Sequence, residues 1–207
     1  MITVPTALPG SSFDEELARS ELYGLLALLY YAPPSEELLE QLRAAVTEAP
    51  SAGAVLEESW RSVVGLAREM SPEEIQNEYN LLFGGIGKPE VYLYGSHYLS
   101  GFLNEKPLAR LRTHLAQLGL ARDDGMSETE DHLACLCEVM RYLIAGDEAT
   151  DTTLVQQKDF FTAEVQTWVS QLCDAIQAHP RARFYAALAV LTRSFAEVEA
   201  LGFEMLN

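Results

Sequence analysis

The chain has 207 residues, 48% hydrophobic and 9% aromatic, a composition that excludes a disordered protein and suits one domain burying roughly 70% of its unfolded surface. Thirty-one acidic against fourteen basic residues give a formal net charge of −17, which argues against nucleic acid and anionic lipid and for a cationic partner. The N-terminus lacks the basic start and apolar core of a signal peptide, no apolar run approaches a membrane span, and the three cysteines read as reduced core thiols, so the expected setting is cytoplasmic.

Residues 1–14 read as a flexible tail, and 15–207 as a single domain. "FDEELARSELYGLLALLYYA" sets Leu17, Leu22, Leu25, Leu26 and Leu29 at the spacing of a helix with a wide buried face. Prolines 33 and 34 stop it, Ser35 caps a second helix, and Pro50 closes that one. "AVLEESWRSVVGLAREM" is the third. The fourth, "SPEEIQNEYNLLFGG", has Ser71 as N-cap, Pro72 at its first position, Glu74 completing a capping box, and Gly84 and Gly85 as its stop.

An aromatic loop rich in glycine follows, "LFGGIGKPEVYLYGSHYL", in which only "EVYLY" has strand character. "NEKPLARLRTHLAQLG" is a helix closed by Gly119. In "SETEDHLACLCEVMRYLIAG" Ser127 and Glu130 are expected to form a capping box, with Gly146 as the stop. Two long helices, "TLVQQKDFFTAEVQTWVSQLCDAIQA" and "ARFYAALAVLTRSFAEVEALG", complete the chain on either side of His179 and Pro180. The expected fold class is all-α, a single-domain bundle of about eight or more helices. Its short connections leave open a monomer or a domain-swapped dimer.

The chemistry that these residues allow is narrow. A phosphate loop needs glycine where Leu82 stands and Ser or Thr where Pro89 stands, so Lys88 reads as a solvated loop charge. His132, Cys135 and Cys137 lack zinc spacing, and Ser96 beside His97 is no catalytic pair, so neither metal, cofactor nor enzymatic activity is expected. "ETEDH" places Glu128, Glu130 and Asp131 where carboxylates complement a helix start, with His132 one turn from Glu128. Tyr79, Phe83, Tyr92, Tyr94 and Tyr98 either fill space over a helical core or form a recognition surface.

Four segments together resemble the TorD/DmsD/NarJ group of redox-enzyme maturation chaperones. "EYNLLFGG" is similar to the family's Tyr-x-x-Leu-Phe-x-Gly segment, "YGSHYL" to its aromatic-Gly-Ser-x-Tyr segment, "ETEDHLACLCEVMRYLI" to its Glu-Pro-x-Asp-His helix start, and "RFYAALAVLTRSFAEVE" to its C-terminal helix. The sequence departs at Thr129, where proline is usual, and at Gly85 to Gly87. The resemblance implies an all-helical, non-enzymatic chaperone. Its partners would be a molybdoenzyme catalytic subunit, that subunit's twin-arginine signal peptide, and the machinery that inserts the molybdenum cofactor.

Such a receptor needs carboxylates beside an apolar groove. Asp131, with Glu128 or Glu130, is expected to accept the guanidinium groups, and His132 to orient the carboxylate or bond the peptide backbone. Tyr79, Leu82, Phe83, Tyr94, Gly95, Ser96 and Tyr98 are expected to line the apolar part. The client expected from the resemblance is formate dehydrogenase-like. The alternatives are a NarJ-like chaperone of a non-exported nitrate reductase subunit, an acidic helical scaffold and, last, a nucleotide-hydrolysing factor.

Overall fold

The computed structural model describes residues 12–47, 55–84, 88–123, 125–146 and 153–206. Among them are ten α-helices: α1 Ser12–Tyr31, α2 Glu36–Ala44, α3 Glu57–Glu69, α4 Pro72–Leu82, α5 Gly95–Ser100, α6 Lys106–Gln117, α7 Leu133–Ala145, α8 Leu154–Phe160, α9 Val169–Gln177 and α10 Phe184–Glu204. Of the expected tail, residues 12–14 already belong to α1 and the rest lies outside the described residues, as do Gly85 to Gly87.

One apolar core joins these elements. The α1 and α7 helices pack along each other at its centre, and α10 runs between α9 and α3. Leu22, Leu25, Leu26 and Leu29 of α1 and Leu133, Leu136 and Met140 of α7 are buried, whereas Leu17, expected on the same face of α1, is exposed near the start of that helix. Arg19 ties α1 to α10 through a two-pronged bond to Glu199, at 2.6 and 2.8 Å, which also accepts the Tyr23 hydroxyl.

The local signals hold where side chain and backbone agree. Ser71 and Glu74 close their capping box around Pro72, and Ser35 accepts the amide of Leu38. The Ser127–Glu130 box does not form. Helix α7 starts five residues after Glu128, at Leu133, with His132 as its N-cap. Ser127 and Glu130 bond elsewhere, and the His132 amide donates to the Thr129 carbonyl, closing a tight turn where a first helical turn was expected.

The long helix expected after residue 153 is interrupted by a π-helical segment, Phe161–Val165, between α8 and α9. Phe160, Phe161, Val165 and Trp168 are all buried across this wider turn. "EVYLY" forms no strand; it contributes a single antiparallel bridge, Tyr94 opposite His132.

Candidate functional site

That bridge brings the aromatic loop and the "ETEDH" turn together. Leu133 donates to the Leu93 carbonyl at 2.8 Å, and Gly95 donates to that of Asp131 at 2.9 Å. Asp131 is 3% exposed; its Oδ2 accepts the Ser96 amide at 2.9 Å and its Oδ1 the Thr129 hydroxyl at 2.7 Å. Thr129, the residue that departs from the family pattern, thus supplies a donor that proline lacks. Because Asp131 is buried and both its oxygens are engaged, it fastens α5 to the turn, and a guanidinium reaches it only if the turn opens.

The structure separates the expected residues into groups. Ser96 is buried and its hydroxyl accepts the Asn104 amide, so it holds the loop that follows α5. Gly95 lies so close to Trp168 that a Cβ would sit 2.9 Å from the indole nitrogen, which makes the residue a packing requirement. Tyr98 stacks on Trp168 and donates to the Tyr92 carbonyl, and Leu82 is fully buried. Ser96 and Gly95 meet the turn at Asp131, and all four serve the scaffold.

Around Glu128 the picture is different. Its carboxylate accepts the Tyr94 hydroxyl and, at 3.2 Å, that of Ser127, and no cation among the described residues pairs with it. Burial first, and then the bond to Glu128 and its charge, push the Tyr94 phenol well above its usual range, so Tyr94 is a donor at neutral pH. Burial followed by the charge of Glu128 does the same for Tyr79. Tyr79 packs edge-on against Phe83 at 5.2 Å, and both rings meet Tyr185.

His132 closes the back of this site. Its ring stands edge-on to Tyr94 at 5.0 Å and to Tyr31 at 6.3 Å. Burial, against the opposing charges of Glu128 and Asp131, lowers its pKa to about 4. The ring is therefore neutral at pH 7, and since Nδ1 accepts the Ala134 amide at 3.2 Å, the proton resides on Nε2.

Tyr31 was missed by the sequence reading. It is 42% exposed, and its hydroxyl lies 3.4 Å from Ser127 Oγ. As the last residue of α1 it resembles the frayed end of an amphipathic pattern, and only the long-range packing of α1 on α7 brings it to the turn. Glu130 is also occupied, by Arg112 of α6, whose Nε and Nη2 meet its two oxygens at 2.9 and 3.0 Å.

The result is one half-buried carboxylate with no cationic partner among the described residues, bonded by Tyr94 and Ser127, with the His132 ring against Tyr94 and Tyr31 reaching it only through Ser127. Such an arrangement accepts a fork of N–H donors on the carboxylate while an aromatic face takes the flat side of the cation. No group of three or more metal-ligating side chains exists among the described residues, and all three cysteines are buried, with burial raising Cys135 to about 12. Among the described residues, no helix is long and apolar enough to cross a membrane.

Residues 32–174 match a family model described as nitrate reductase delta subunit. The chain is 24% identical over 206 residues to the chaperone protein TorD of Vibrio parahaemolyticus serotype O3:K6, covering 91% of this chain and 95% of that protein. It is 25% identical over 195 residues to chaperone protein TorD of Vibrio cholerae serotype O1, with 86% and 89% covered. The same protein of Salmonella arizonae is 23% identical over 181 residues, covering 82% and 84%.

Proposed function

Because the chain belongs to the nitrate reductase delta subunit family, the TorD/DmsD/NarJ group of maturation chaperones, we propose that it receives the twin-arginine signal peptide of a molybdoenzyme catalytic subunit at Glu128. The chain is a chaperone of this family and not an enzyme. In this reading it holds its client in the cytoplasm until the molybdenum cofactor has been inserted.

One observation supports the choice of Glu128: its charge has no cationic partner among the described residues, although tyrosines partly enclose it. Desolvated carboxylates are costly unless paired, so an incoming guanidinium gains more there than at a carboxylate already satisfied. Tyr31 and Tyr94 give the guanidinium plane a face to lie on, and Tyr79 with Phe83 offers apolar area beside it. Lysine presents a point charge and fits this geometry less well. The net charge of −17 speeds the encounter with any cationic segment but does not distinguish arginine from lysine.

Calorimetric titration at physiological salt with twin-arginine signal peptides, each beside its twin-lysine version, tests the reading. The panel includes formate dehydrogenase-like clients. At least one peptide is expected to bind at micromolar Kd or tighter, about tenfold more weakly as the lysine version. Equal affinity for both versions would reduce the interaction to bulk charge. Binding only to a mature nitrate reductase subunit, with no signal peptide bound, would place the protein with the chaperones of non-exported clients.

A further inference from the structure

Glu130 lies two residues from Glu128, yet its carboxylate carries the occupant that Glu128 lacks. Arg112 approaches it fork to fork, Nε to Oε1 at 2.9 Å and Nη2 to Oε2 at 3.0 Å. This is the geometry that an arginine of a bound peptide would adopt. The two partners are unequally buried: the Glu130 side chain is 11% exposed and that of Arg112 is 52% exposed. Arg112 has no second hydrogen-bond partner among the described residues, only the nearby charge of Asp131, and its removal from the carboxylate returns it to water.

The Arg19–Glu199 pair shows what a permanent version of the same fork looks like. There the guanidinium also donates to Gln157, lies over the Phe203 ring, and is 16% exposed, while the carboxylate takes a further bond from Tyr23. Nothing comparable locks Arg112. Half-exposed ion pairs contribute little net stability, so exchange of one guanidinium for another at Glu130 costs little.

We infer that Arg112 is a built-in stand-in for one arginine of the client's pair. One peptide arginine takes the open carboxylate of Glu128, and the other takes Glu130 by displacing Arg112. This rests on the reading of Glu128 as an arginine acceptor and deepens it. Arg112 then acts as a specificity-determining residue. A lysine cannot reproduce the two-pronged bond it must replace, and a peptide with one arginine fills Glu128 alone.

The test is calorimetric, with peptides bearing Arg-Arg, Arg-Gln, Gln-Arg and Lys-Lys, titrated into the wild type, Arg112→Gln, Arg112→Lys and the double variant Arg112→Gln with Glu130→Gln. Removing the competitor is expected to tighten Arg-Arg binding roughly threefold to fivefold and single-arginine binding by no more than about twofold. Arg112→Lys, which keeps the charge but not the fork, is expected to fall between, and the double variant to lose the gain.

Unchanged or weaker Arg-Arg binding by Arg112→Gln overturns the inference while leaving the Glu128 reading intact. So does an equal gain for all four peptides, which is the signature of one positive charge removed. Wild type that does not distinguish Arg-Arg from Lys-Lys overturns both.

Discussion

Two carboxylates near two helix starts make an instructive pair. At the start of α10, Glu78 of α4 accepts the amides of Arg183 and Tyr185, each at 2.8 Å, and of Phe184 at 3.1 Å. Near the start of α7, Glu128 accepts only hydroxyls, from Tyr94 and Ser127. Amides at a helix N-terminus have no partner within their own helix, so Glu78 supplies bonds and a counter-charge that the fold requires. The hydroxyls at Glu128 have no such need, and they leave its charge unbalanced. A carboxylate consumed by backbone amides is part of the scaffold, and one held by hydroxyls at a half-open surface remains available.

The comparison breaks first at Glu78. Glu78→Ala strands three amides at a buried helix start, and a loss on the order of 3 kcal/mol in unfolding free energy is expected. Glu78→Gln, which keeps an acceptor, should lose less. Denaturant titration checks both, and an Ala variant within error of wild type would remove the contrast with Glu128.

A pH effect of similar size is expected from His132. Its folded pKa of about 4 lies below the ordinary value of 6.5, so the unfolded chain takes up the proton first as pH falls. The stability that the neutral ring supports is present above pH 6.5 and is lost as pH drops towards 4, by on the order of 3 kcal/mol. His132→Asn keeps an acceptor for the cap and removes the titration, so its stability should fall less steeply than that of wild type across this window. Parallel curves would show that the ring does not carry the effect.

The smallest change sharpens the assignment most. Asp131→Ala is expected to lose about 2 kcal/mol by freeing the Ser96 amide and Thr129 hydroxyl. Asp131→Asn retains an acceptor for Ser96 but no charge, and should keep most of the preference for arginine over lysine. If it abolishes that preference, Asp131 and not Glu128 is the acceptor.

Much of this scaffold is legible in the chain. The spacing of Leu22, Leu25, Leu26 and Leu29, and the Ser71-Pro72-Glu74 start of α4, are local signals, and local hydrogen bonds realise them. The six-residue α5 was lost inside the aromatic loop because it has no periodic face of its own; the amide of Ser96 is fixed by Asp131, thirty-five residues away. The same holds for the start of α7. Ser127 and Glu130 have the right spacing for a box, but Arg112 draws Glu130 away and His132 takes over as cap.

The candidate site was partly legible. Glu128, Tyr94 and His132 are named from the sequence and lie together in the fold, and Tyr79 and Phe83 pack on each other, whereas the roles of Asp131 and Ser96 depend on a bridge between two segments that no local pattern encodes. Tyr31 and Arg112 were invisible for the same reason: each belongs to an ordinary helix and reaches the turn only through tertiary packing.

The most direct measurement of the central claim is a double-mutant cycle by calorimetry: wild type and Glu128→Gln, each titrated with the twin-arginine peptide and its twin-lysine version. The account predicts that exchanging arginine for lysine costs the wild type about tenfold in Kd and the variant no more than about threefold, the remainder being read at Glu130, a coupling of about 0.7 kcal/mol. Equal losses in the two proteins would show that arginine is read elsewhere, and would contradict the assignment of Glu128.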